Sequence, residues 1–286
     1  MPERQTGTFV GAADTGIFYQ RWTPPNPEAT AIVVHGYAEH SGRYAHVADA
    51  LVRRGYDVWA LDHRGHGRSE GVRAHVDRFQ QYVDDFASFV ELVRRARPAG
   101  PLFIVAHSMG ALIATLYAFD HQDKLDGLAL TGPAYNVENG APPILLALSA
   151  VVSAIAPKLA VGPFDNTGIS RDPAVVEASN NDPLVYHGKL RARLGREFLL
   201  ASRSVLGRAP SLKLPVLVIQ GEADRIINPD GARTVFPAFG SADKTVKYYP
   251  QCFHEVLNEP EQDEIIALIG DWLDKRRGAL AASAAT

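Results

Sequence analysis

Short, nearly unbroken apolar runs recur along this chain, separated by segments whose apolar residues return every three or four positions. Ala31-Ile32-Val33-Val34 stops at His35-Gly36 and reads as a buried strand. Tyr44 to Arg54 has helical spacing and ends at Gly55, a helix-stop signal. The alternation continues with a strand over Asp57 to Leu61, a helix over Phe79 to Arg97 closed by Pro98, and a strand over Leu102 to Ala106. A helix over Met109 to Phe119 and a strand over Leu125 to Leu130 follow. Much later come strands over Pro215 to Ile219 and Lys244 to Tyr249, then a last helix over Gln262 to Lys275. Ahead of all these, Thr8 to Trp22 reads as two short strands around the turn Asp14-Thr15-Gly16. Strands apolar on both sides, alternating with helices, predict an α/β protein with a mostly parallel central sheet covered on both faces.

The alternation breaks between about Ala134 and Arg208. This stretch carries Pro142, Pro143, Pro157, Pro163, Pro173 and Pro183 among short helical patterns. It reads as an inserted, mainly helical cap over residues 135–207, with a core formed by 1–134 and 208–277. The cap is expected to lie over the C-terminal edge of the sheet, where open α/β sheets bind ligands. The last residues, 278–286, are small and Ala-rich with no core pattern, and are expected to be disordered.

A chain of 286 residues with an ordinary hydrophobic share of 46% is long enough for one such domain. A net charge of -3 offers no basic excess to neutralise phosphates, so nucleic acid is not expected as a partner. The single cysteine, Cys252, makes neither an internal disulfide nor a thiolate metal site. The polar start Met1-Pro2-Glu3-Arg4-Gln5-Thr6 does not read as a signal peptide. The longest apolar stretch, Ile144 to Ala156, is shorter than the roughly 20 residues of a membrane span. A cytoplasmic protein is the expectation, and no feature fixes an oligomeric state.

Against that frame the chemistry is concentrated at strand ends. Ala106-His107-Ser108-Met109-Gly110 joins a predicted strand to a predicted helix, the setting of the nucleophile elbow G-x-S-x-G, with Ala106 in the first glycine's place. A serine hydroxyl needs a base to take its proton. In the α/β-hydrolase fold, base and acid follow the serine in the order Ser, Asp or Glu, His. Of ten histidines, His254 alone follows the strand over Lys244 to Tyr249. Asp224 follows the strand over Pro215 to Ile219 and is the expected acid; Glu222, two residues earlier, is its competitor. The oxyanion donors are expected to be the backbone N–H groups of Met109 and of Tyr37, in the loop His35-Gly36-Tyr37.

These residues belong to longer stretches that resemble monoacylglycerol lipases. They are His35-Gly36-Tyr37-Ala38-Glu39-His40-Ser41-Gly42-Arg43-Tyr44, Asp62-His63-Arg64-Gly65-His66-Gly67-Arg68-Ser69 and His107-Ser108-Met109-Gly110. Ser170-Arg171-Asp172-Pro173, Asn181-Asp182-Pro183-Leu184, Gly221-Glu222-Ala223-Asp224-Arg225 and His254-Glu255 complete the set, which covers nearly the whole chain. Three positions differ from the family pattern: Ala38 in place of glycine, Ser179 in place of a cap tyrosine, and Leu257 in place of a polar residue.

The resemblance implies a lipase that cleaves glycerol monoesters through an acyl-enzyme, without a cofactor. Glu39 and Arg43 would hold the glycerol end, or else form an ion pair that orders their loop. The apolar cap segment bearing Ile144, Leu145 and Leu148 would line an acyl channel, and its outer face raises transient contact with a membrane surface. A broader carboxylesterase or lysophospholipase on the same residues is the second reading, and a non-catalytic ligand receptor the third. Dehalogenase and epoxide hydrolase relatives carry a carboxylate where Ser108 stands. No metal is expected at Asp62-His63-Arg64-Gly65-His66, whose spacing fits no zinc helix motif. Cys252, close to His254, is either a site for thiol reagents or an inert buried thiol.

Overall fold

The computed structural model describes residues 3–135, 143–162 and 166–284. An N-terminal hairpin of β1 (Glu3–Val10) and β2 (Gly16–Thr23) precedes β3 (Ala29–Val34), α1 (Ala45–Arg53), β4 (Tyr56–Leu61) and α2 (Gln80–Ala96). Then come β5 (Leu102–His107), α3 (Met109–His121) and β6 (Gly127–Thr131). The long connection that follows holds α4 (Pro143–Ile155), β7 (Ala160–Gly162), α5 (Pro173–Asn181), β8 (Leu190–Arg191) and α6 (Ala192–Arg208). The chain re-enters the sheet at β9 (Val216–Gly221), followed by α7 (Asp230–Ala238), β10 (Lys244–Tyr249) and α8 (Gln262–Ala284).

The main sheet has eight strands in the order β1-β2-β4-β3-β5-β6-β9-β10. The hairpin pairs antiparallel with β4, and every pairing from β4 to β10 is parallel. The reason lies in the side chains of β3. Ile32 and Val34 face the layer containing α2 and α3, while Ala31 and Val33 face the layer containing α1 and α8. A strand with no polar face must be covered twice, which the parallel βαβ arrangement does. α3 carries the same logic further: Met109 to Phe119 is buried all round, so this helix is sealed between the sheet and its neighbours.

Two elements differ from the sequence expectation. Residues 278–286 were expected to be disordered, yet α8 continues through Ala284. Its preceding turn is fixed by Arg277, whose Nη1 donates to the Arg54 carbonyl at 2.7 Å, and the alanines beyond are the strongest helix formers. α7 has no counterpart in the expected elements, because Pro229, Gly231 and Pro237 punctuate a stretch whose Ala232 and Val235 are buried.

The register carries the strand ends to one edge. Val34 lies beside Ala106, His107 beside Thr131, and Tyr249 beside Gly221. The loops that leave β3, β5, β9 and β10 therefore open on the same side of the molecule.

Candidate active site

Ser108 sits between the last residue of β5 and the first of α3, with φ 52° and ψ −116°. A non-glycine residue in that region is strained by about 1–3 kcal/mol, held here by the strand and helix on either side. The turn is tight enough to dictate its neighbours. A Cβ on Gly110 would stand 2.4 Å from the carbonyl oxygens of Val34 and His35, so only glycine lets α3 pack against β3. Ala106 is accommodated in the buried interior of β5.

The Ser108 Oγ lies 2.8 Å from His254 Nε2, and His254 Nδ1 lies 2.7 Å from Asp224 Oδ2. A carboxylate only accepts, so Nδ1 bears the ring proton and Nε2 is left to accept from the serine hydroxyl. Asp224 is itself fixed: its Oδ1 accepts the N–H groups of Ile226 and Ile227 at 2.8 and 2.9 Å, and Gln220 Nε2 donates to Oδ2 at 3.1 Å. Glu222 instead pairs with Arg233 at 2.5 Å, away from His254.

Burial pulls the His254 ring down, but the Asp224 charge and hydrogen bond, with Glu255 and Glu39 nearby, outweigh it and leave its pKa above the ordinary 6.5. Burial pushes Asp224 up, yet His254 and the two backbone donors hold it below the usual carboxylate value. His107, its ring centroid 4.7 Å from that of His254, behaves oppositely. Burial and then the His254 charge lower its pKa to about 3, so it packs against the imidazole as a neutral ring.

The loop after β3 passes directly over the serine. A Cβ on Gly36 would lie 3.1 Å from the Ser108 Cβ. The Gly36 N–H is donated to Glu39 Oε1 at 2.6 Å, and Tyr37, the next residue along the loop, lines the cavity beside Ser108. Met109 opens α3, in whose first turn the N–H groups lack intrahelical acceptors.

Glu39 and Arg43 lie beside the serine, but they engage each other and a residue that spacing did not single out as a partner. Arg43 Nη1 donates to Glu39 Oε2 at 2.9 Å and to Glu255 Oε1 at 2.6 Å, while Nη2 donates to Glu255 Oε2 at 2.7 Å. Tyr44 Oη donates to Glu39 Oε1 at 2.7 Å, and Asn258 Nδ2 to Glu255 Oε2 at 2.9 Å. Two buried carboxylates thus share one guanidinium. Burial pushes Glu39 up; Arg43 overcomes the same burial at Glu255 and holds it down.

These groups line a cavity of about 210 Å³. Gly36, Tyr37, Ser108 and His254 form one side, and Asn166, Ser179, Asn180 and the turn Val185-Tyr186-His187-Gly188 form the other. The latter wall comes from the connection between β6 and β9 and includes residues, Asn166, Asn180 and Tyr186 among them, that no sequence signal marked. Ile144, Leu145 and Leu148 fall on α4, but their side chains lie outside the described residues. Of the positions that differ from the family pattern, Ser179 lines the cavity. Ala38 lines it with φ 68°, and Leu257 is buried on the other face of the sheet.

Each histidine of the histidine-rich loop engages the backbone through one ring nitrogen, while His63 Nδ1 and His66 Nε2 are buried without a hydrogen-bond partner. His35 Nε2 accepts the His63 N–H at 2.9 Å, His63 Nε2 donates to the His35 carbonyl at 3.0 Å, and His66 Nδ1 donates to the Arg64 carbonyl at 3.0 Å. Among the described residues, the one group with metal-ligand proximity is Cys252, Glu259 and Glu261, and Arg171 pairs with both of its carboxylates. The Cys252 thiol is buried, and burial followed by Glu261 and Glu259 raises its pKa to about 12.

A serine on a strained strand-to-helix turn, an imidazole and a carboxylate in hydrogen-bonded series on an eight-stranded α/β sheet define a serine hydrolase of the α/β-hydrolase fold. The family model described as serine aminopeptidase, S33, matches residues 25–261. The monoacylglycerol lipase of Mycolicibacterium smegmatis is 39% identical over 94% of this chain and 97% of its own length. The human monoglyceride lipase is 34% identical over 96% of this chain and 92% of its own. The crystal structure of Paleococcus ferrophilus monoacylglycerol lipase superposes with a TM-score of 0.80, at 29% identity, over 96% of this chain and 99% of that one. The chain belongs to the monoacylglycerol lipase family. Among its described residues, no helix is long and apolar enough to cross a membrane.

Proposed function

We propose that this enzyme hydrolyses monoacylglycerols to glycerol and fatty acid through an acyl-enzyme on Ser108. The observation that carries the reading is the 2.8 and 2.7 Å series from Ser108 through His254 to Asp224, opening on a cavity with a polar wall. Ser108 Oγ attacks the ester carbonyl while His254 Nε2 takes its proton. His254 then returns that proton to the departing glycerol oxygen. Asp224 keeps the ring in the required tautomer and balances the imidazolium. The N–H groups of Tyr37 and Met109 hold the negative oxygen of the tetrahedral intermediate. Water, deprotonated by the same imidazole, releases the fatty acid.

The charge around the serine favours a neutral alcohol. Arg43 is the one Lys or Arg among the described residues lining the cavity, and Glu39 and Glu255 already share it. Among the described lining residues no further Lys or Arg is left to receive a headgroup phosphate, which supports a glycerol monoester over a lysophospholipid. We read residues 135–207 as the cap over this cavity. Val151, Ile155, Leu159 and Val161 are all more than half exposed and form the surface on which the cap would rest transiently on lipid.

The test is turnover across a series of monoacylglycerols of varied chain length, beside di- and triacylglycerols, lysophospholipids, p-nitrophenyl esters and an aminoacyl anilide. Selective cleavage of monoacylglycerols, abolished in Ser108→Ala, is the predicted result. Activity confined to p-nitrophenyl esters would leave a general esterase, and anilide cleavage in preference to esters would point to a peptidase.

A further inference from the structure

The turn after α5 is fastened to the loop that crosses Ser108. His40 Nε2 and Asp182 Oδ2 are 2.8 Å apart, although 142 residues separate them in the chain. His40 Nδ1 accepts the Gly42 N–H at 3.1 Å, so the ring proton is on Nε2 and is donated to Asp182. The other Asp182 oxygen, Oδ1, accepts the Leu184 N–H at 2.8 Å and closes the turn. Further along that turn the Tyr186 N–H donates to the Ala38 carbonyl at 2.7 Å. Arg73 ties the same turn to a second core loop, donating to the carbonyls of Gly67 and Leu184 at 2.8 and 3.1 Å.

The attachment falls where the loop most needs support. Ala38 has φ 68°, a left-handed conformation that costs a residue with a Cβ about 1–2 kcal/mol. It directly follows Tyr37, the proposed oxyanion donor. The peptide that presents the Tyr37 N–H is thus bounded by Gly36, pinned through Glu39, and by Ala38, pinned through Tyr186.

We propose that His40 and Asp182 are positioning residues for ester hydrolysis, with the turn 182–186 serving as an external brace that holds the Tyr37 N–H on the developing oxyanion. The inference rests on the reading of Tyr37 given above. It assigns the geometry of the site to two chain segments at once: the cavity wall at 185–188 cannot move away without releasing the loop over Ser108.

The experiment compares Asp182→Ala, His40→Ala, the double variant and His40→Gln on a water-soluble p-nitrophenyl butyrate. A parallel series measures inhibition by an alkyl trifluoromethyl ketone, whose hemiketal places an oxyanion in the same hole. Expected is a fall in kcat of about 10- to 100-fold in each alanine variant with KM held within about twofold, as for a misdirected donor. Inhibitor affinity should fall by the same factor, the double variant should be no worse than the singles, and His40→Gln, which keeps a donor toward Asp182, should recover part of the loss. His40→Ala leaves the Asp182-capped turn intact, so it reports even where Asp182→Ala does not fold. Unchanged kcat in the folded variants overturns the brace. A rise in KM alone also overturns it, assigning the turn to substrate binding. Turnover that persists in Ser108→Ala would instead sink the underlying reading of the site.

Discussion

In the proposed mechanism His254 is the base, and its environment fixes how activity should respond to pH. It acts as base only when neutral. Burial disfavours its charge, but Asp224 and the neighbouring Glu255 and Glu39 favour it more, so the folded pKa lies above 6.5. Below that pKa the ring is an imidazolium and cannot accept the Ser108 proton. kcat/KM is therefore predicted to rise with pH through a single limb whose midpoint lies above the ordinary histidine value. Asp224→Asn removes the largest favourable influence on the charge and, with its amide oxygen held by the Ile226 and Ile227 N–H groups, turns an N–H donor toward Nδ1, which shifts the ring proton to Nε2. The limb should move to lower pH while kcat falls by about 10⁴-fold, as when this carboxylate is lost elsewhere. An unshifted limb in the variant would show that Asp224 is not the partner of the base. Cys252, two positions from His254, plays no part in this account: its thiol is pushed up to about 12 and stays protonated near neutrality.

At the scale of elements, the loop after β4 is the clearest case of structure held by one buried pair. Arg64 Nε and Nη2 donate to Asp85 Oδ2 and Oδ1, both at 2.5 Å, fastening the histidine-rich loop to α2. Asp85 also accepts the Ala12 N–H at 2.8 Å, which brings the N-terminal hairpin to the same point. Both side chains are buried, so removing one leaves the other's polarity unmatched. Arg64→Ala is predicted to destabilise the fold by about 3–5 kcal/mol in urea unfolding. A change below about 1 kcal/mol, the range of an exposed pair, would contradict the burial argument.

The same scale shows what the sequence could and could not convey. β3, β5, β6 and β9 were legible because a strand covered on both faces has no polar positions to confuse its pattern. Ser108 and Asp224 stood out because each follows such a strand, whereas His254 follows the edge strand β10, whose positions alternate between half-buried and exposed, and was singled out by its place in the order Ser, Asp, His. α7 was hidden by its prolines and glycine. β7 and β8, of three and two residues, are too short to carry a period. Glu255 was visible only as a neighbour of His254; its bidentate hold on Arg43 spans 212 residues of chain and leaves no local trace. His40 and Asp182 are alike in this respect, each lying in a recognisable stretch whose mutual contact only the fold reveals.

For the whole molecule, the parallel sheet gathers four loops at one edge and the connection between β6 and β9 supplies the opposite wall of the cavity. The cavity is thus lined by residues drawn from widely separated parts of the chain, from Gly36 to Glu255. The exposed apolar residues of α4 and β7 lie in that same connection, so the surface proposed to meet lipid and the wall facing Ser108 are parts of one insertion.

In the proposed reaction Ser108 carries the acyl group of a monoacylglycerol during turnover. The direct measurement is rapid mixing of enzyme with a long-chain monoacylglycerol, acid quench within milliseconds, and mass analysis of the peptide containing Ser108. Expected is a mass gain equal to the acyl group on Ser108, absent from Ser108→Ala, which also loses turnover. An acyl group carried by another residue, or monoacylglycerol hydrolysis that survives in Ser108→Ala, would contradict it.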